Sequence, residues 1–326
     1  LPANLTPVYH AAEERFREAK TKEEKIAALE EMLAVIPKHK GTDHLQADIK
    51  RRIAKLRDEG DEKGAVKSGD PFLIPKEGAG QVVLLGFPNT GKSALVGALT
   101  RAKVMVADYP FTTAMPVSGM MSFEDILIQL VDLPPVTAEE MPKGMAGTLR
   151  LADLVVITLD GGADDCLDQW QGCLDLLNEK RILEIPGEND GPNTKSPANI
   201  LAVMTKYDMA GAGERLQMLE EMIPPGWLFT TASVNDPDSL TRLRKDIFER
   251  LQIIRVYSKI PGKDAERANP FVLKTGQTVL DMAAKVHRDF PDKLKYAKVW
   301  GSAKFPGQSV EKDFPLADGD IVELHV

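Results

Sequence analysis

The chain has 326 residues, a formal net charge of −8 and no apolar run of membrane-spanning length. That size suits two or three domains, and the acidic balance excludes a protein that coats nucleic acid non-specifically, so neither DNA nor membrane binding is expected. The 2 cysteines, Cys166 and Cys173, are spaced as small apolar residues on one helix face and not as a redox or zinc motif. With no signal-peptide pattern at its start, the chain is expected to be cytoplasmic.

Residues 1–60 read as a helical hairpin. Thr21-Lys22-Glu23-Glu24 forms a capping box, followed by Ile26, Leu29, Leu33 and Ile36 in one stripe. The stretch 37–41 breaks the pattern, and Thr42 or Asp43 caps a second helix with Leu45, Ile49, Ile53 and Leu56 in its stripe. Its opposite face carries Lys50, Arg51, Arg52, Lys55 and Arg57, which is either a solvated face or one turned to RNA or a partner. Residues 61–80, rich in Gly, Lys, Glu and Asp with Pro71 and Pro75, read as a linker.

Residues 81–251 alternate apolar strand-like runs with helical stretches, the pattern of a parallel α/β sheet. Strands are expected at 81–85, 116–121, 126–131, 154–159, 199–204 and 227–230, and helices at 91–101, 145–152, 166–180, 212–222 and 238–251. A polar loop is expected over 184–198. Residues 252–326 change character: strands near 255–258, 271–273, 299–300 and 321–324 with one helix over 278–287 predict a small α+β module.

The chemistry concentrates at Gly86-Phe87-Pro88-Asn89-Thr90-Gly91-Lys92-Ser93, which reads G-x-x-x-x-G-K-S between a strand and a helix. Successive backbone N–H groups and a helix N-terminus surround an anion there. Lys92 is expected to reach the β- and γ-phosphates and Ser93 to ligate Mg²⁺. After the first helix, Tyr109-Pro110-Phe111-Thr112-Thr113 reads as a switch loop in which Thr113, favoured over Thr112, completes the Mg²⁺ shell.

Val131-Asp132-Leu133-Pro134-Pro135 ends a strand, with Asp132 placed to hold Mg²⁺ through water. The usual motif is D-x-x-G, whose glycine N–H bonds the γ-phosphate, but here that position is Pro135, which has no N–H. Val136 follows where Ras-like enzymes carry a water-orienting Gln, so intrinsic hydrolysis is expected to be slow or to use another element. Thr205-Lys206-Tyr207-Asp208 is a variant of N-K-x-D: the Asp208 carboxylate accepts guanine N1–H and the exocyclic amine, and the Lys206 stem covers the base. Thr230-Thr231-Ala232-Ser233 fits the loop whose backbone meets guanine O6.

Together these motifs resemble the Obg/DRG family of P-loop GTPases, with the DRG (developmentally regulated GTP-binding) branch favoured because the glycine-rich Obg N-terminal domain is absent from the sequence. The resemblance rests on the phosphate loop, Asp108-Tyr109-Pro110-Phe111-Thr112-Thr113, Leu151-Ala152-Asp153-Leu154 and the C-terminal module. In that module Ile254-Arg255-Val256-Tyr257, Tyr296-Ala297-Lys298-Val299-Trp300-Gly301 and Asp320-Ile321-Val322-Glu323-Leu324-His325 resemble a TGS domain, a ubiquitin-like β-grasp fold. The expected architecture is therefore a Ras-like α/β G domain over 81–251 between an N-terminal helical hairpin and a TGS domain over 252–326.

The resemblance implies GTP and GDP binding, slow Mg²⁺-dependent hydrolysis, and a potassium ion at Asn89. It also implies association with the ribosome, rRNA or tRNA and with a regulatory protein. The candidate nucleotide contacts are Phe87, Pro88, Asn89, Thr90, Gly91, Lys92, Ser93, Ala94, Phe111, Thr112, Thr113, Asp132, Thr205, Lys206, Asp208, Thr231, Ala232 and Ser233. Of these, Ser93, Thr113 and Asp132 are the Mg²⁺ candidates, and no side chain is assigned as general base. The competing function is a nucleotide-binding scaffold with negligible turnover, motivated by Pro135 and Val136.

Overall fold

The computed structural model describes residues 7–18, 22–36, 46, 49–52, 72–100, 105–106, 115–184, 194–224 and 226–326. The chain divides into two compact units, Leu1–Asp70 and Pro71–Val326.

In the first unit, helices α1 (Pro7–Glu18) and α2 (Lys22–Val35) share a core of Tyr9, Ala12, Leu29, Met32 and Ile36, which Ile49 joins. Ile26 and Leu33 of the expected stripe pack against that core. Helix α1 was not expected as a separate element, because its buried positions are sparse: Tyr9 and Ala12, with Phe16 half-buried beside them. Lys50, Arg51 and Arg52 are exposed. Thr21, Thr42, Asp43, Leu45, Ile53, Lys55, Leu56 and Arg57 lie outside the described residues.

The second unit begins before the expected end of the linker. Phe72 is buried in the core of the sheet domain, where its carbonyl accepts from Thr148 Oγ1. Gln81 Nε2 donates to Gln129 Oε1 at 2.9 Å and to the Ile74 carbonyl at 3.1 Å, and Gln129 Nε2 donates to the Pro75 carbonyl at 3.1 Å. Buried amides of this kind must be paired, and pairing them fastens 72–80 to the sheet.

Among the described residues that sheet has seven strands, ordered β2-β3-β4-β1-β5-β6-β7. They are β1 (Gln81–Leu85), β2 (Met105–Val106), β3 (Val117–Phe123), β4 (Ile126–Asp132), β5 (Leu154–Asp160), β6 (Ile200–Thr205) and β7 (Leu228–Ala232). Strands β1, β5 and β6 are buried at every position, as unbroken apolar runs in a two-faced parallel sheet must be. Successive side chains alternate between two cores. Val83, Leu85, Val155, Ile157, Ala202 and Met204 meet α4 (Met145–Leu151), α5 (Cys166–Glu179) and α6 (Ala212–Met222). Val82, Leu84, Val156, Leu201 and Val203 meet α3 (Lys92–Leu99) and α7 (Pro237–Arg250).

Cys166 and Cys173 are buried on α5, where burial pushes their thiols up to about 11 and about 12, so they serve as core residues. Strand β2 was not expected; two residues carry no alternation, and the strand exists through the pairs Met105↔Ser118 and Val106↔Val117. Of the expected loop over 184–198, residues 185–193 lie outside the described residues.

The C-terminal module forms a five-stranded sheet, β11-β10-β12-β8-β9, with β8 (Ile253–Ser258) and β12 (Ile321–His325) parallel at its centre. Strands β9 (Phe271–Lys274), β10 (Tyr296–Trp300) and β11 (Gln308–Val310) complete it, and α8 (Val279–Val286) and α9 (Phe290–Lys293) follow β9 in sequence. Val279, Met282 and Ala283 of α8 pack on Ile254, Val256, Val299 and Val322, which is a β-grasp core. A capping box starts α8: Asp281 Oδ2 accepts the Thr278 N–H at 2.7 Å.

Arg255 joins the module to the sheet domain. Its guanidinium forms a bidentate pair with Asp318, at 3.0 and 2.7 Å, and reaches Glu124 and Asp125 (3.0 Å) at the β3–β4 turn. It also lies 5.2 Å from the ring centre of Phe248, which stacks on Phe123.

Candidate functional site

The site lies at the C-terminal ends of β1, β4, β5 and β6, where a parallel sheet opens a crevice for ligands. The turn from β1 to α3 requires two glycines for separate reasons. A Cβ on Gly86 would sit 2.4 Å from Thr158 Oγ1, so only glycine lets the loop pass this close to β5. Gly91 has φ +83, a left-handed conformation that starts α3 with its N–H groups facing the crevice. Thr90 turns inward: its buried hydroxyl donates to the Phe87 carbonyl at 3.0 Å and lies 3.0 Å from Thr158 Oγ1.

A cavity of about 730 Å³ covers this loop. Pro88, Asn89, Gly91, Lys92, Ser93, Ala94, Asp132 and Lys206 line it, together with Met115, Val117, Leu133, Pro134 and Pro135. Lys92 is buried, and its ammonium donates to the carbonyls of Gly86 (2.8 Å) and Phe87 (2.7 Å). Burial pulls its pKa down, opposed chiefly by the Asp132 carboxylate. Burial likewise pushes the Asp132 carboxyl up, opposed by the Ser93 hydroxyl and by Lys92. Asp132 Oδ2 accepts from Ser93 Oγ, and among the described residues Asp132 Oδ1 is buried without a hydrogen-bond partner. An orphaned carboxylate oxygen beside a hydroxyl is a donor set that fits a hard divalent cation such as magnesium.

The stretch 133–137 after β4, here called switch II, offers the cavity no backbone donor. Pro134 and Pro135 have no N–H, the Leu133 N–H is directed at the Leu84 carbonyl (3.4 Å), and that of Val136 at the Gly86 carbonyl (3.2 Å). Thr137 N–H donates to the Glu140 carbonyl at 3.1 Å. The Val136 side chain is fully buried in the core beside Val83 and Met145. Val136 therefore faces the protein interior, away from the cavity.

A second cavity of about 200 Å³ adjoins the first. Gly91, Ala94, Leu95, Thr205, Lys206, Asp208, Met209, Ala232, Ser233, Val234 and Asn235 line it. The Thr205 hydroxyl lies 2.7 Å from the Thr90 carbonyl and 3.0 Å from that of Leu159, so it bridges the phosphate loop to β5. Lys206, at φ +52, crosses the same loop, donating to the Asn89 carbonyl at 2.8 Å and to Asp160 Oδ2 at 2.6 Å.

Of the expected contacts, Phe87, Thr90 and Thr231 line neither cavity; Phe87 packs against the core beside α5. Phe111, Thr112 and Thr113 lie outside the described residues. Met115, Met209 and Asn235 were not anticipated, since none belongs to a motif and each reaches the site through the path of its loop.

The sequence pattern of the family described as 50S ribosome-binding GTPase matches residues 81–188, and that of the TGS domain matches residues 254–326. An uncharacterized GTP-binding protein of Methanocaldococcus jannaschii is 30% identical, over 93% of this chain and 92% of its own length. The chain belongs to this family of P-loop GTP-binding proteins that carry a TGS domain. Another relative of this GTPase, developmentally-regulated G-protein 2 of Arabidopsis thaliana, is 27% identical over 92% of this chain and 90% of its own length. The Schizosaccharomyces pombe YchF GTPase structure covers 77% of the chain at a TM-score of 0.53 and 12% identity, a likeness of fold. Membership carries GTP and GDP binding and a β-grasp TGS domain. Among the described residues no helix is long and apolar enough to cross a membrane.

Proposed function

We propose that this GTPase hydrolyses GTP slowly, with magnesium, and acts as a switch linked to the ribosome or to translation. The observation that supports this best is the convergence of Lys92, Ser93 and Asp132 at one cavity and Lys206 and Asp208 at the other, two cavities that share Gly91, Ala94 and Lys206 in their lining. The N–H groups of 89–93 and the Lys92 ammonium bind the β- and γ-phosphates, and Asp208 selects guanine. Ser93 and Asp132 would hold magnesium, joined by Thr113 from the switch loop. When bound, magnesium supplies charge neutralisation at the phosphate oxygens. The rate is slow because Val136 is turned into the core and cannot orient water.

The same observation, with Pro134 and Pro135 beside it, favours a second reading: a nucleotide-binding scaffold with negligible turnover. Single-turnover GTP hydrolysis separates the two, since a scaffold hydrolyses no faster than buffer. Run in KCl and in NaCl, the assay also tests Asn89 as a potassium ligand; equal rates remove that role. Run with magnesium chelated, it tests the donor set of Ser93 and Asp132. The ribosomal link rests on the description of the matched family and on the TGS domain. Its test is co-sedimentation of the full chain with ribosomal subunits in the GDP- and GTP-analogue-bound states; no co-sedimentation in either state removes it.

A further inference from the structure

The base-recognition motifs end at Ser233, but the turn that carries them continues. Two residues on, Asn235 Nδ2 donates to Asp208 Oδ2 at 3.0 Å, and both side chains line the smaller cavity. The turn holds Asn235 in place through its own bonds. The Asn235 N–H donates to Ser233 Oγ at 3.1 Å, and the Asp236 N–H to the Ser233 carbonyl at 3.1 Å. Asp236 then caps α7 by accepting the Asp238 N–H at 3.0 Å, and it accepts the Tyr207 hydroxyl, which ties the turn to the base loop. Asn235 is therefore braced from both sides before any nucleotide arrives.

We infer that Asn235 is the positioning residue that sets guanine selectivity by fixing the Asp208 carboxylate. The inference rests on the reading of Asp208 as the guanine ligand. An aspartate's last torsion is broad and roughly two-fold, so an exposed carboxylate turns freely and loses that freedom on binding. A carboxylate offers about four lone-pair sites on two oxygens. Asn235 occupies one on Oδ2 and the Ser233 hydroxyl takes another, which leaves two for a pair of parallel donors. Guanine presents such a pair in N1–H and its exocyclic amine; adenine presents an acceptor at N1. The amide of Asn235, followed by the Ser233 hydroxyl, also holds Asp208 below the ordinary carboxylate range, so it stays an acceptor. The hydrogen bonds of Asn235 run to Asp208 and Ser233, both on the base side of the site, so its contribution falls on the base and not on the phosphates.

The test is equilibrium binding of GDP and ADP to the full chain carrying N235A, D208A, both, or neither. N235A is expected to weaken GDP about tenfold, the loss of one hydrogen bond to a charged group, and to leave ADP unchanged. In the D208A background N235A is expected to cost nothing further, because its effect passes through the carboxylate. N235D, which keeps the shape and sets a like charge against Asp208, is expected to cost more than N235A. Equal losses for GDP and ADP, or additive losses in the double variant, overturn the proposal. A wild-type chain without preference for GDP over ADP overturns the guanine reading and this proposal together. A wild-type preference left intact by N235A overturns this proposal alone.

Discussion

Replacing Pro135 by glycine tests the absence of backbone donors at the γ-phosphate end of the cavity. Pro134 is buried, whereas Pro135 is exposed and lines the cavity that holds Ser93 and Asp132. The neighbouring N–H groups of Leu133, Val136 and Thr137 are all directed at carbonyls within the protein. P135G therefore introduces one N–H where none is available. A hydrogen bond to a charged group contributes about 1.5–3 kcal/mol, which converts to a GTP-over-GDP preference raised about 10- to 150-fold. Glycine also loosens the unfolded chain by about 0.4–1 kcal/mol, but this cost falls equally on both nucleotide states and cancels in the ratio. The assay is competition of GDP and a non-hydrolysable GTP analogue against one fluorescent nucleotide. An unchanged ratio in P135G, with wild type already strongly preferring the triphosphate, would refute the reasoning and place the γ-phosphate donor outside 133–137.

Three other expectations follow from the same packing. V136Q is expected to lower stability by about 1–3 kcal/mol without accelerating hydrolysis, because the amide enters a core with no partner. Thermal melting and a turnover assay on one preparation check it, and faster hydrolysis at unchanged stability would contradict the burial of Val136. T205A is expected to cost about 0.5–1.5 kcal/mol and to weaken GDP binding, since the hydroxyl that joins the phosphate loop to β5 is lost; T205S should restore both. R255A is expected to cost about 3 kcal/mol in urea unfolding, at the low end for breaking a buried pair because Glu124 keeps water on one side, and R255K should not rescue a bidentate geometry. The Asp318 carboxyl is held low in the folded protein: burial pushes it up, but the Arg255 hydrogen bonds and charge outweigh that. A depressed carboxyl contributes stability above its unfolded pKa that is lost as pH falls through its folded one. Acid unfolding should therefore come at higher pH in R255A, and equal acid midpoints would remove the role of this pair.

The phosphate loop, the base motif and Asp132 were legible in the sequence because each depends on contiguous residues, whereas the β-grasp module was legible through resemblance over separated stretches. Eight residues at fixed spacing create the anion cradle, and unbroken apolar runs can only be strands buried on both faces. Helix α1 was harder to read because its short stripe of Tyr9, Ala12 and Phe16 acquires meaning only against Leu29 and Met32. Strands as short as β2 and β11 exist by pairing alone. The sequence by itself determined a guanine-nucleotide motif set, which follows from local chemistry, and its resemblance to a known family named the TGS domain. Tertiary structure alone decided what that chemistry is directed toward. The path of switch II past Leu84 and Gly86 spends its amides and buries Val136, and the turn after β7 brings Asn235 onto Asp208. Whether an N–H or a carboxylate is free depends on which distant backbone lies beside it, and residue order along one strand does not specify that neighbour.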